Sequence, residues 1–455
     1  MVVLVDAALV DAPRHGNDDR TRARRLLAEL LHHDNVLAQR YSDDGPPVGT
    51  PSASGPSPTV YPGWATVEQV DRQTWRVTHG DDTRVTKSTV WGEFADFAEH
   101  DSLSTAYVDL APPDAAARRR ADALAVQIAS QVFDADLFVT ERAYLHEVGL
   151  GIVRDVTVCG VDDALALIGL YQRANGDYSV SPWLRFNRGL YTWVATRELL
   201  PSAWRWFTAA LQHEAHSGDE AFGFLAGSLM PRVQRALVAR DEIFIALNRP
   251  QDNDVRDDAL AALDDVAYRL MAGFDILARV AHRTVGVANG GRRAKWQRDA
   301  WLDQIADLRP TLADAMRPGT RGAHVLTIVK LLRNTIHGES LRAVHVEAIG
   351  KPARSVVAIG RDDGKAITAA MDALGGQRRF GVDTLIPGRV DVDPGLLIDT
   401  LFPEVIAVFN ELMDLTPVEN LPGVALEDDD LKPSEEPNSP FKEEIRFRIR
   451  KQYGL

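Results

Sequence analysis

The chain contains 455 residues, of which 45% are hydrophobic and 25% charged, a composition typical of folded globular proteins and not of disordered chains. Acidic residues outnumber basic ones by 65 to 51, so the formal charge is −14 and any contact with nucleic acid requires a local basic patch. The single cysteine, Cys159, excludes an intramolecular disulfide and a cysteine-cluster zinc site. No apolar segment is long enough to span a membrane and the N-terminus is a poor signal peptide, so the sequence predicts a cytoplasmic protein without membrane contact.

Residues 1–178 alternate between apolar runs and helical periods, which predicts an α/β domain with a parallel sheet. The run 2–10 predicts a strand that ends near Asp6, and residues 19–41 predict a helix. Residues 45–63, rich in Pro, Gly and Ser, predict a flexible linker or surface loop, and residues 64–90 predict an inserted β-hairpin. The rest of the domain is predicted as helix 91–100, helix 114–133, strand 135–140, helix 141–149, strand 156–160 and helix 161–176.

Residues 181–415 carry mostly helical periods, which predicts an all-α bundle with a small β insertion at 343–360. The predicted helices are 187–216, 220–247, 255–286, 294–316, 322–338 and 395–414. The sequence GRDDGK at 360–365 is predicted to be a turn. Residues 416–455 are polar, acidic and rich in Pro and Ser, which predicts a mostly disordered tail.

Four acidic residues of the first domain are candidates for one site: Asp6, Glu93, Asp122 and Glu141. In an open α/β sheet, ligands bind beyond the carboxyl ends of the strands, where Asp6 and Glu141 are expected. Carboxylates that meet there need a cation, and oxygen ligands of this kind suit Mg²⁺ or Mn²⁺. Two such ions can hold the attacking and leaving oxygens of a phosphodiester.

The motifs VVLVDAAL, WGEF, DALAVQIA and LFVTER, spread over roughly residues 1–175, resemble those of the PIN-domain nucleases. The resemblance implies a metal-dependent nuclease that cuts single-stranded RNA, with Asp6, Asp122, Glu141 and Glu93 as catalytic metal ligands and Thr140 as a supporting hydroxyl. The separation between Asp6 and Glu93 is longer than in the family, which makes Glu29 a rival for the second position. The alternative is that these residues are ordinary helix-terminal charges in a catalytically inactive fold.

A second candidate site is the sequence RNTIHGE at the end of a predicted helix. Arg333 and His337 are four residues apart and therefore share a helix face. A histidine that can act as general acid or base is thus expected beside a guanidinium that can bind phosphate, and Asn334 is a supporting residue that would orient either one. The segment resembles the HEPN family of helical RNases and nucleotide-binding proteins, although the family usually has four to six residues between Arg and His. The resemblance implies a homodimer through residues 181–415. The alternative is a structural helix end, capped by Gly338.

The densest basic stretch of the chain offers cations and stacking aromatics for single-stranded nucleic acid. Its candidate RNA-binding residues are Arg283, Arg292, Arg293, Lys295 and Arg298, accompanied by Trp296 and Trp301. The alternative is a solvated helix face above core tryptophans.

These patterns together favour a metal-dependent single-stranded RNA endonuclease of the toxin or phage-defence type, which leaves 5′-phosphates and is restrained by an inhibitory partner protein. One alternative is a metal-independent RNase that uses Arg333 and His337 and leaves 2′,3′-cyclic phosphates. The other is a non-catalytic nucleic-acid-binding or sensor protein with degenerate sites.

Overall fold

The computed structural model describes residues 1–10, 16–42, 64–80, 85–147, 156–249, 253–288, 290–338, 342–346, 354–359, 361–383 and 390–455. The chain forms two compact units, one of residues 1–186 with 447–455 and the other of residues 187–446. The predicted linker at 45–63 lies outside the described residues. No helix in the described ranges is both long enough and apolar enough to cross a membrane.

The first unit contains a four-stranded parallel sheet, which confirms the predicted α/β class. Its strands lie in the order Leu37–Tyr41, Val2–Asp6, Leu137–Val139 and Thr157–Cys159. The elements of this unit in chain order are β1 (Val2–Asp6), α1 (Ala7–Val10), α2 (Asp19–Leu30), β2 (Leu37–Tyr41), β3 (Trp64–Gln69), β4 (Thr74–Gly80), β5 (Val85–Trp91), α3 (Glu93–Glu99), α4 (Pro112–Gln131), β6 (Leu137–Val139), α5 (Ala143–Glu147), β7 (Thr157–Cys159), α6 (Val161–Ala174), β8 (Ser179–Ser181) and β9 (Leu184–Arg185). The sheet is buried because apolar cores pack against it from α4 and from α2 with α6.

The predicted helix over 19–41 is wrong in its second half. Helix α2 ends at Leu30, and residues 37–41 form β2, which pairs in parallel with β1. The helical spacing of apolar residues continues to Val36, but burial of Tyr41 in the core of the sheet outweighs helix propensity. The predicted hairpin is part of a three-stranded antiparallel sheet, β3-β4-β5, which has one strand more than a hairpin.

The second unit is mainly helical, as predicted. The helix Asn253–Val285 packs against the helices Leu229–Leu247, Arg321–Gly338 and Pro394–Leu415. The elements of this unit are α7 (Arg188–Leu199), α8 (Ala203–Ser217), α9 (Glu220–Gly227), α10 (Leu229–Leu247), α11 (Asn253–Val285), α12 (Asp299–Leu308), α13 (Pro310–Asp314), α14 (Arg321–Gly338), β10 (Arg342–Val346), β11 (Arg354–Ile359), α15 (Arg361–Ala373), β12 (Val382–Asp383), β13 (Val390–Val392) and α16 (Pro394–Leu415). Two predicted helices are each divided near a proline, Pro201 and Pro310, because proline lacks the N–H that a continuous helix needs.

The β insertion is larger than the predicted hairpin. Four strands form an antiparallel sheet of order β10-β11-β13-β12. The predicted turn at 360–365 is wrong, because α15 begins at Arg361. The apolar residues that continue at helical spacing, Ile367, Ala370 and Met371, are buried and explain why this polar start is drawn into a helix.

The predicted disordered tail also differs from the structure. After short 3₁₀ turns at Val418–Asn420 and Asp428–Leu431, residues Glu443–Tyr453 form helix α17, whose end belongs to the first unit. Phe447 is buried there, and the close approach of α17 depends on Gly169, where a Cβ atom would lie 2.3 Å from the carbonyl oxygen of Gln452. Composition alone did not indicate this tertiary contact.

Candidate functional site

Two of the predicted acidic ligands, Asp6 and Asp122, meet at one buried centre. Val5 and Val139 are partners on the neighbouring parallel strands β1 and β6, so Asp6 and Thr140 leave the sheet side by side. Asp122 comes from the middle of α4 and is fully buried. The centre therefore lies beyond the carboxyl ends of two strands, where the sequence predicted it.

The two carboxylates are joined by an arginine that the sequence analysis did not single out. The Nε of Arg142 donates to Oδ2 of Asp6 at 2.7 Å, and its Nη1 donates to Oδ1 of Asp122 at 3.3 Å. The guanidinium also lies over the Tyr41 ring, 5.3 Å from its centroid. Thr140 has the predicted supporting position, because its hydroxyl donates to Oδ2 of Asp6 at 3.1 Å and accepts from the N–H of Arg142 at 3.2 Å.

Tyr107 completes the centre from the loop between α3 and α4. Its hydroxyl donates to Oδ2 of Asp122 at 2.5 Å, and its backbone has a φ of 65°, in the left-handed region that non-glycine residues rarely adopt. Such a conformation costs energy and persists where surrounding contacts hold it in place. No sequence pattern indicated Tyr107, because the loop has no regular hydrophobic period.

Glu147 provides those surrounding contacts. Its carboxylate accepts from the Ser104 hydroxyl at 2.6 Å, the Thr105 N–H at 2.5 Å and the Ala106 N–H at 2.8 Å. The Ser104 hydroxyl and then the Thr105 N–H lower the pKa of Glu147 from 4.5 to about 2. The loop immediately before Tyr107 is thus held by one ionised side chain.

Burial and the neighbouring polar groups shift the pKa of the buried carboxylate in opposite directions. Burial raises the pKa of Asp122 above its ordinary value, while the hydrogen bond from Tyr107 and the charge of Arg142 act in the opposite direction. Burial, followed by the hydrogen bond to Asp122, raises the pKa of Tyr107. A second cation, Arg118, lies 4.0 Å from Asp122 and is half exposed.

The other predicted acidic ligands do not join this centre. The carboxylate of Glu141 bonds to Arg20 at 2.5 Å and to Arg24 at 2.9 Å. In extended chain, neighbouring side chains point to opposite sides, so residues 140 and 142 face the centre while 141 faces α2. Glu93 is exposed at the start of α3, and among the described residues its side chain has no ion-pair partner. The rival Glu29 pairs with Arg448 at 2.5 Å.

The residues present do not fit a Mg²⁺ or Mn²⁺ site. Such ions need several oxygen ligands, often with water, at about 2.0–2.6 Å. Here the guanidinium of Arg142 already lies between the two carboxylates. Within the described part of the chain, no group of three or more acidic, histidine or cysteine side chains is arranged to hold a metal ion.

The second predicted site lies at the end of α14. Arg333 and His337 are one turn apart in this helix, which ends at Gly338 as predicted. The Nη1 of Arg333 donates to Oδ1 of Asn334 at 3.2 Å. The side chain of His337 lies outside the described residues.

The predicted RNA-binding cations divide into two groups. Arg283 donates to the carboxylate of Asp219 and lies over the Phe222 ring, which removes it from the candidates for phosphate binding. The others, which we call the basic segment, form no side-chain hydrogen bond or ion pair with any described residue. These are Arg292, Arg293, Lys295 and Arg298, of which the three arginines are exposed and Lys295 is half-buried.

The predicted stacking role of the two tryptophans is wrong. Trp296 and Trp301 are buried, with rings 5.0 Å apart. The indole N–H of Trp296 donates to the carbonyl of Phe274 at 3.0 Å, and that of Trp301 donates to Nδ1 of His282 at 3.1 Å. Both are core residues, as the alternative interpretation held.

No family model, curated protein or solved structure matches this chain. The assignment of function therefore depends on the residues and their geometry.

Proposed function

We propose that this protein binds single-stranded RNA through the basic segment of its helical unit. The observation that carries the proposal is that four cations within seven residues have no acidic partner among the described residues. Several other arginines of the same unit do pair with described acidic residues: Arg188 with Glu242, Arg249 with Asp258, Arg256 with Asp257 and Arg317 with Asp303.

Cations without internal partners suit phosphate, because binding then costs no existing ion pair. The formal charge of −14 makes this segment a local exception and not part of a general polyanion-binding surface. Since Trp296 and Trp301 are buried, the contact is with the backbone of the nucleic acid and reads little sequence. The choice of single-stranded RNA comes from the two family resemblances.

The binding experiment compares the wild-type chain with a variant in which all four cations of the basic segment become alanine. Fluorescence anisotropy with a labelled single-stranded RNA of mixed sequence measures the Kd. A control variant removes the same charge from the four paired arginines, Arg188, Arg249, Arg256 and Arg317. We expect loss of binding in the first variant alone; equal binding by all three proteins contradicts the proposal.

A second candidate function is metal-independent RNA cleavage at the end of α14. The observation that favours it is that, among the described residues, the side chain of Arg333 bonds to its neighbour Asn334 and to no carboxylate. Arg333 also lies one helical turn from His337. There the histidine would take a proton from the ribose 2′-hydroxyl, whose oxygen attacks phosphorus and closes the cyclic phosphate, while Arg333 stabilises the charge on phosphate. The P–O5′ bond breaks in the same step, and the 5′-oxygen of the next nucleotide leaves as a hydroxyl after it receives a proton from water. This reaction excludes DNA as a substrate.

End-group analysis after incubation in EDTA tests this candidate. Cleavage that leaves 2′,3′-cyclic phosphates and is lost in His337→Ala supports it, with His324→Ala, on the same helix, as the control. Absence of cleavage with intact RNA binding leaves the protein a binder only. The homodimer, the inhibitory partner and the toxin or defence role stay predictions.

A further inference from the structure

The acidic centre of the first unit already contains a cation that belongs to the protein. The side chain of Arg142 is 6% exposed, and those of Asp6 and Asp122 are 12% and 0% exposed. A carboxylate that is buried to this degree is stable only when it is paired and hydrogen-bonded. The guanidinium meets both needs, because its Nε and Nη1 groups donate to two carboxylates from different elements.

The surroundings hold this arginine in one orientation. Its backbone N–H donates to Thr140, and the Tyr41 ring lies beneath its guanidinium. The remaining oxygen of Asp122 is taken by the Tyr107 hydroxyl. Each member of the centre therefore fixes another, and the guanidinium lies where any ion shared by the two carboxylates would have to lie.

We propose that Arg142 takes the place of a divalent cation at this centre, so that the wild-type protein binds no divalent ion between Asp6 and Asp122. Removal of the guanidinium leaves two buried carboxylates without a counter-ion. Mn²⁺ then binds between them, with the hydroxyls of Thr140 and Tyr107 as additional oxygens. This inference does not depend on RNA binding, which the proposed function places in the other unit.

Binding of Mn²⁺ alone, followed by electron paramagnetic resonance of the free ion, tests the proposal without any activity assay. We expect Arg142→Ala to gain one Mn²⁺ site at least tenfold tighter than any site of the wild type, and Asp6→Asn in that background to abolish it. Arg118→Ala is the matched control, because the half-exposed Arg118 lies 4.0 Å from the same Asp122 and its removal leaves the bridge of Arg142 intact. This control is expected to behave as the wild type does.

Thermal unfolding gives a second readout. Millimolar Mn²⁺ is expected to raise the midpoint of Arg142→Ala and to leave that of the wild type unchanged, because only the variant has a site that exists in the folded state. A folded Arg142→Ala variant that gains no Mn²⁺ site overturns the proposal. If this variant fails to fold, Mn²⁺ binding by the wild type tests the proposal. A stoichiometric Mn²⁺ site in the wild type that Asp6→Asn removes overturns the proposal, and absence of such a site supports it.

Discussion

The basic segment should give RNA binding a salt dependence that can be calculated beforehand. Each phosphate contact to a single strand contributes about −0.7 to the slope of log K against log salt concentration, so four contacts give a slope of about −2.8. Between 50 and 200 mM salt, this slope corresponds to a loss of affinity of about 50-fold. Replacing Arg292, Arg293, Lys295 and Arg298 with alanine should bring the slope close to zero.

The assay is anisotropy of a labelled single-stranded RNA over this range of salt concentrations. The control variant, in which Arg188, Arg249, Arg256 and Arg317 become alanine, should keep the full slope, because these side chains bond to carboxylates within the protein. Exposed pairs of this kind contribute little to stability, so the control should also fold normally. An unchanged slope in the basic-segment variant would refute the reasoning, since the counterions would then be released elsewhere.

Three further predictions concern stability. Tyr107→Phe removes the hydrogen bond to the buried Asp122 carboxylate and should lower the free energy of unfolding in urea by about 1.5–3 kcal/mol. The pKa of Glu147 is held at about 2, below its ordinary 4.5. The ionised Glu147 therefore stabilises the folded state fully above pH 4.5, and this contribution declines as the pH falls towards 2. Glu147→Gln should remove this part of the pH dependence of the melting midpoint. Gly273→Ala would place a Cβ atom 2.5 Å from Cζ of Phe409 and should destabilise by about 1–3 kcal/mol in the same urea assay.

Matched substitutions test the physical reasons behind these changes. Tyr144→Phe should cost less than Tyr107→Phe, because its partner Asp101 is half-buried and keeps access to water. Gly227→Ala meets only an ordinary contact at 3.9 Å, with Phe207, so it should be neutral or stabilising by up to about 1 kcal/mol. Equal losses of stability in the two tyrosine variants would show that burial of the partner carboxylate is not the cause, and equal losses in the two glycine variants would show that lack of space is not. An acid transition that Glu147→Gln leaves unchanged would show that the Glu147 carboxylate does not cause it.

The local pattern of the sequence was enough for the long and strongly periodic elements. The apolar run before Asp6 predicted β1, the alternation up to Cys159 predicted a parallel sheet, and the period of 395–414 predicted α16. These elements follow from side-chain periodicity and burial, which are properties of neighbouring residues. The convergence of Asp6 with Asp122 was also predicted. The rule that ligands gather beyond the carboxyl ends of parallel strands indicated Asp6, whereas Asp122 was a candidate through the family resemblance.

Only the tertiary structure decided which groups complete the centre. The alternation of side chains in extended chain turns Glu141 towards Arg20 and Arg24 and brings Arg142 to the carboxylates instead. Tyr107 depends on a loop held by Glu147, far from it in sequence. Likewise, α17 forms where the polar composition predicted disorder. The sequence determined which segments are strands and helices and where acidic residues leave the sheet. Contacts between distant segments decided that the cation among these acidic residues is an arginine. The sequence could not predict this, because such contacts produce no periodic pattern in the chain.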